Sequence, residues 1–268
     1  MKKSIRKYFE LAGPYHSLCR EERNLCAVLY HLLAGNPENL SRFLKTIGHE
    51  PAKLDTAEIY VEYAHLRDIW HAFGKGKPSG VENETRREFI LDALDLQSRE
   101  DLRNSSVQEF NKFFVARTSP SSEVIESPSN WSIKQLAESF PDDSGGSKGF
   151  LRAARFKWCF NVKPDIVIFL SQDEAVSIEA KFESSESKYP SGDEEWKIFQ
   201  RRELPKVPQT EIQKQVFKLL GIDATHVLLA KNGGGDGQFA WAEVLRALSL
   251  DKESQFIQDQ IESFLKKC

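Results

Sequence analysis

Residues 164–183 read PDIVIFLSQDEAVSIEAKFE, two short apolar segments separated by a polar turn. The first, Ile166 to Leu170, is bounded by Pro164 on one side and by Ser171-Gln172-Asp173-Glu174 on the other. An apolar run of that length with such borders reads as a buried strand. The second segment alternates: Val176, Ile178, Ala180 and Phe182 leave one face, and Ser177, Glu179, Lys181 and Glu183 the other. That period of two is a strand's. A tight turn between the strands would bring Asp165, which opens the first, close to Glu179 on the second. Glu179 and Lys181, two positions apart, share a face.

Working outward, ARFKWCF (154–160) reads as a further strand just upstream. Downstream, an acidic, loop-like stretch covers 184–208, and residues 209–220 form an amphipathic helix closed by Gly221. THVLLAK (225–231) follows as a buried strand ended by Asn232 and three glycines, and helices over 241–249 and 253–267 complete the pattern. Nearer the start, Leu18, Leu25, Val28, Leu29, Leu32 and Leu33 form one stripe of a helix over 16–34, stopped by Gly35-Asn36-Pro37. A short helix over 38–47, a strand over 57–64, a loop at 74–80 and helices over 81–96 and 99–116 come next. Residues 118–130 are rich in Ser and Pro, and 141–149 form a flexible loop. The order is that of an α/β protein. The expectation is one domain over 1–268 carrying a mostly helical insertion at about 65–150.

The 40% hydrophobic and 29% charged content is that of an ordered globular chain. No apolar run approaches the ~20 residues needed to span a bilayer, and Arg6, Lys7 and Glu10 interrupt any signal-like region. A cytoplasmic protein with no membrane partner is expected. Cys19, Cys26, Cys159 and Cys268 form no CxxC pair, and the six histidines are scattered, so zinc spacing is absent. There is no GxSxG, P-loop or strand-linked GxGxxG, and Gly233–Gly237 (GGGDG) lacks the Lys-Ser/Thr of a phosphate loop. The net charge of −3 gives no global electrostatic argument for a polyanionic partner.

Phosphodiester hydrolysis needs charge neutralisation on the phosphate and a water made nucleophilic near neutral pH, and a divalent metal held by carboxylates meets both needs. A divalent metal lowers the pKa of its water and acts as a Lewis acid. Mg²⁺ prefers a few carboxylates plus waters, and a lysine beside them meets charge that develops in the transition state. Asp165, Glu179 and Lys181 supply these groups, and the Ala180 carbonyl is one more oxygen. As a bare pattern, PD followed by (D/E)xK is common. Glu186-Ser187-Lys188, Glu195-Trp196-Lys197 and Pro141-Asp142 also fit parts of it, but only Glu179-Ala180-Lys181 lies on an alternating apolar strand. The bland alternative makes Glu179 and Lys181 a solvated strand face and Asp165 a turn residue.

On these residues the chain resembles the PD-(D/E)xK nuclease superfamily, the restriction-endonuclease-like fold, and within it the branch of uncharacterised or phage-defence bacterial proteins. Four segments carry the likeness: EERNLCAVLYHLL (21–33), the two motif strands, EIQKQVFKLLG (211–221) and FAWAEVLRAL (239–248) with the last helix. The resemblance implies a mixed sheet flanked by helices in the order α-β-β-β-α-β, and Mg²⁺-dependent cleavage of DNA or sometimes RNA, with Mn²⁺ as a substitute metal. It places Glu22 at a metal-linked glutamate, although the helical wheel leaves Glu21 and Glu22 both beside the apolar stripe. It places Gln213, four residues before Phe217, against the active site. Restriction enzymes and resolvases often act as dimers, so a homodimer is expected, though nothing in the chain marks its interface. The chain departs from the pattern in the ~30 residues between Lys181 and Gln213 and in the long stretch before Pro164. A binding module of the same fold without turnover, and a helical interaction protein with a small sheet, are the competing expectations.

Overall fold

A computed structural model describes residue 19 and residues 21–50, 54–73, 79–141 and 146–268. Residues 16–18 and 20 of the expected first helix, most of the 74–80 loop and the centre of the 141–149 loop lie outside the described residues. Cys19 and Glu21 are described and not helical, so the first helix starts at Glu22 and not at residue 16. The chain divides into two interleaved compact units. One comprises Met1–Tyr63, Pro164–Ser185 and Ile222–Cys268; the other comprises Ala64–Lys163 and Glu186–Gly221. The expected insertion at about 65–150 falls inside the second unit, which continues to Lys163 and also takes in Glu186–Gly221.

The first unit opens with α1 (Glu22–Ala34), α2 (Pro37–Thr46) and β1 (Glu58–Val61). Pro37 occupies the first turn of α2, where its missing N–H costs nothing, and the Asn36 side chain accepts from Glu38 N at 3.0 Å. The chain then builds α3 (His65–Ala72), α4 (Ser79–Leu94), α5 (Glu100–Arg103), α6 (Val107–Phe114), a 3₁₀ turn at Pro128–Asn130, α7 (Ile133–Ser139) and α8 (Gly146–Cys159) in the second unit. It returns for β2 (Ile166–Phe169) and β3 (Glu174–Ala180). A second excursion makes β4 (Lys188–Tyr189), α9 (Asp193–Arg201), β5 (Val207–Pro208) and α10 (Gln209–Leu220). The first unit closes with β6 (Asp223–Ala230), β7 (Gln238–Ala240), α11 (Trp241–Ala247) and α12 (Gln255–Leu265).

The first unit is therefore α/β, with a five-stranded mixed sheet ordered β1-β2-β3-β6-β7 and flanked by helices. β1, β2 and β3 pair antiparallel, whereas β3, β6 and β7 pair parallel. β3, paired on both edges, is buried at every position after Glu174. Its core joins Leu29, Leu32 and Leu33 of α1 and Phe43 and Leu44 of α2 to Ile166, Ile168, Val176 and Ile178 of the sheet. Trp241, Val244 and Phe264 belong to the same cluster. Each such side chain contributes roughly 1.5–3 kcal/mol relative to exposure.

The second unit has an aromatic core. Phe114 stacks on Trp131 with ring centroids 4.1 Å apart, and Phe110, Phe156, Phe150, Phe199 and Trp158 extend the cluster. Buried Asn83 and Asn111 hold the Ser/Pro-rich segment by its backbone. Asn83 binds Glu123 O and Ile125 N, and Asn111 binds Ser121 O, Val124 O and Glu126 N. That segment therefore needs no regular structure to satisfy its polar groups.

Several local expectations are corrected. ARFKWCF is the end of α8, not a strand. Ala154, Phe156, Trp158 and Phe160 alternate only within that short window, while Phe150, Ala153, Ala154 and Trp158 follow a helical period and are all buried. The 184–208 stretch is not a bare loop, since it holds α9 and the two-stranded β4–β5 ladder. Asp193, Glu194 and Glu195 sit in the first turn of α9, where the helix dipole favours acids. The expected 99–116 helix is two helices, α5 and α6, the second opened by a capping box between Ser106 and Glu109. Among the described residues no helix is long and apolar enough to cross a membrane.

Candidate active site

The antiparallel register of β2 and β3 pairs Ile166 with Ile178 and Val167 with Ser177. Continued by one residue, it sets Asp165 directly across from Glu179 on one face of the sheet, with Cβ atoms about 5 Å apart in such a pair. A hydrogen bond from Ala180 N to Asp165 Oδ2 at 2.7 Å pins the aspartate there. The β1–β2 register, Val61 with Ile166, likewise sets Glu62 across from Asp165, and Glu62 N donates to Asp165 O at 3.0 Å. Glu62, Asp165 and Glu179 thus form a row across the ends of three strands.

Glu179 is 1% exposed and Lys181 Nζ lies 2.6 Å from its Oε1. The solvated-face alternative is thereby overturned, because β3 carries no open face at Glu179. Lys181 itself, with its side chain 14% exposed, is not on an open face either. Its amide donates to Leu229 O at 2.7 Å and its carbonyl accepts from Trp241 Nε1 at 3.0 Å, so β6 and α11 fix the backbone that aims the amine.

From α1, Glu22 Oε1 accepts from Phe182 N at 2.8 Å and Ser184 Oγ at 2.7 Å, and Oε2 stands 4.0 Å from Lys181 Nζ. Of the two acids that the helical wheel left open, Glu22 is the one that reaches this group; Glu21 is the exposed N-cap residue of α1. Gln213 is buried in α10 of the second unit. Sequence reasoning misses Glu62. It stands on the polar side of the 57–64 alternation, with Glu58 and Tyr60, and only strand pairing reveals its neighbour. Its φ of 55° is left-handed, a conformation that strains a residue carrying a Cβ, and Arg23 Nε approaches it at 3.5 Å.

Burial, and then the adjacent Glu179 carboxylate, push the Asp165 carboxyl up to about 6, against the opposing pull of the Ala180 hydrogen bond and Lys181. Burial alone would lower the Lys181 ammonium, but the Glu179 hydrogen bond and the surrounding carboxylates more than offset it and hold it above the usual lysine range. Burial also works to raise Glu22, yet its hydrogen bonds from Phe182 and Ser184 and the Lys181 charge keep it below the ordinary glutamate value. The buried Cys26 thiol is pushed far up by burial and by Asp165, Glu179, Glu22 and Glu62, and so is an inert, neutral group.

Among the described residues no three His, Cys, Asp or Glu side chains stand close enough to hold a metal ion, so Glu22 does not close a three-carboxylate cluster with Asp165 and Glu179. The pair still fits a hard cation. Both donors are carboxylate oxygens, Mg²⁺ commonly takes one or two carboxylates and keeps several waters, and positive charge would relieve the repulsion that raises Asp165. No protein-family model, curated protein or solved structure matches this chain.

Proposed function

We propose that the first unit is a restriction-endonuclease-like core that hydrolyses phosphodiester bonds of nucleic acid, with DNA as the substrate. The observation that carries this reading is the fully buried Glu179, which faces Asp165 across the strand pair and holds the Lys181 amine at 2.6 Å. A structural ion pair has no need of a second acid opposite it, whose own ionisation burial opposes. Within this unit the chain order α1, β1, β2, β3 and β6, with its mixed strand directions, supports the same reading, while the helix expected between β3 and β6 is α10 of the second unit.

Asp165 and Glu179, with the Ala180 carbonyl, would hold Mg²⁺ or its substitute Mn²⁺. When bound, such an ion supplies Lewis acidity and a water that ionises near neutral pH. Lys181 stays protonated at neutral pH and offers its charge to the phosphate oxygen that gains charge in the transition state. Glu179 orients that amine, while Glu22 anchors the strand end through Phe182 N and keeps Lys181 positive. Asp165 is an anion above about pH 6.

A second reading, a nucleic-acid- or protein-binding module without turnover, is favoured by the absence of a third acidic ligand among the described residues. Calorimetric titration with Mg²⁺ or Mn²⁺, run beside plasmid and RNA cleavage, separates the two. The nuclease reading expects metal heat and cleavage in the native chain and neither in Asp165→Ala. Cleavage that survives in Asp165→Ala, or a native chain that neither takes up metal nor cleaves, defeats it.

A further inference from the structure

The second unit carries a feature unrelated to this carboxylate row. Lys148, Arg152 and Arg155 recur at i, i+4 and i+7 along α8, and Lys214 and Lys218 at i and i+4 along α10. The two helices pack on each other, and these five cations line one open groove of about 780 Å³ together with a single acid, Glu211. Two of the five are answered: Lys214 Nζ lies 2.8 Å from Glu211 Oε1, and Arg152 pairs with Asp95. Lys148, Arg155 and Lys218 have no ion-pair partner among the described residues, and Arg155 Nε is buried without a hydrogen-bond partner. In a chain whose formal net charge is −3, three unanswered cations in one groove depart from the average surface.

We infer that this groove binds the sugar-phosphate backbone of nucleic acid. The α8 stripe spans about 10 Å along the helix axis, a length over which a nucleic-acid strand offers a few phosphates. The groove is too long and open to be a socket for one phosphate. Its lining is cationic and holds no acid beyond Glu211, so contacts would fall on phosphates and would not read bases. The choice of nucleic acid over an acidic peptide rests on the hydrolytic reading of the first unit; the cationic groove itself does not.

The test is fluorescence-anisotropy binding of a labelled DNA oligonucleotide to the full chain in EDTA, with Asp165→Asn in every sample so that no cleavage occurs. Engagement of three phosphates gives a binding constant that falls roughly 20- to 40-fold between 50 and 200 mM salt. Lys148→Glu/Lys218→Glu, at two exposed positions, should weaken binding at 100 mM salt at least tenfold and flatten that salt dependence. Charge reversal at exposed Lys45, in the first unit, should leave both unchanged. Equal loss in the Lys45→Glu variant, or unchanged affinity in the double variant, overturns the groove. Poly-glutamate that competes as well as unlabelled DNA overturns the assignment to nucleic acid. The hydrolytic reading could fail while the groove still binds DNA, because metal and turnover play no part in this readout.

Discussion

The two units handle charge in opposite ways. In the first, Glu179 and Lys181 are withdrawn from water beside Asp165, and the Glu179 carboxylate helps raise both the Asp165 carboxyl and the Lys181 ammonium. In the second, Lys148 and Lys218 stand exposed, and two of the charged groups that go inside, Arg86 and Arg87, rest against backbone carbonyls and aromatic rings. Arg86 donates to Trp70 O at 2.7 Å and lies 4.7 Å from that tryptophan's ring centroid, and Arg87 lies 4.7 Å from that of Phe110. The difference separates two uses of charge. Buried like charges make a site that folding opposes and chemistry can use, whereas exposed cations make a surface whose strength the salt concentration sets.

The comparison breaks most readily at Lys181. Lys181→Ala should abolish cleavage, by at least about a thousandfold, and because it leaves Glu179 buried without its counter-ion it should also cost about 3 kcal/mol in chemical denaturation. Adding Glu179→Gln to Lys181→Ala should recover most of that stability and none of the activity. Full activity of Lys181→Ala on plasmid and RNA would end its catalytic role, and undiminished stability would show the pair to be effectively solvated.

Asp165→Asn sharpens the comparison in the opposite direction. A carboxyl whose folded pKa of about 6 exceeds its ordinary 3.8 binds its proton more tightly in the native state. Its contribution therefore favours folding below pH 4 and is lost as pH rises through about 6. The amide introduced by the substitution can still accept from Ala180 N and carries no charge, so Asp165→Asn should gain about 2 kcal/mol at pH 7.5. That gain should shrink toward zero at pH 4, as denaturant titrations at the two pH values would read. Loss of stability at pH 7.5 would mean that Asp165 is held by attraction.

The smallest effect is expected in the second unit. Lys214→Gln removes one partner of an exposed i,i+3 pair and should change stability by less than about 0.5 kcal/mol. A loss above 1 kcal/mol would show that this surface is not the solvated face described.

Much of the first unit can be read from residues 164–183. The apolar borders and the period of two locate β2 and β3, and the Asp165–Glu179 juxtaposition follows from a tight turn. What the pattern conceals is burial. Ser177 and Glu179 alternate with apolar residues as a half-exposed strand would, yet both are 1% exposed, because side chains on both faces of this central strand are covered and alternation cannot reveal that. Glu62 is hidden for a related reason: its partner lies about a hundred residues away and is set by register alone. Short windows mislead at ARFKWCF, where seven residues cannot separate a period of two from the helix to which they belong. β7 escapes the sequence because three residues after a glycine run carry too little periodicity to register.

The interleaving of the two units has a consequence for synthesis. The second unit has all of its chain by Gly221, whereas β6, which must pair beside β3, begins at Asp223. On the ribosome, then, the aromatic-cored unit can mature while β3 still lacks the neighbour that covers its second edge. An uncovered apolar edge invites pairing with other chains, so the interval between emergence of Ala180 and of Ala230 is when a nascent chain is most exposed to misassembly.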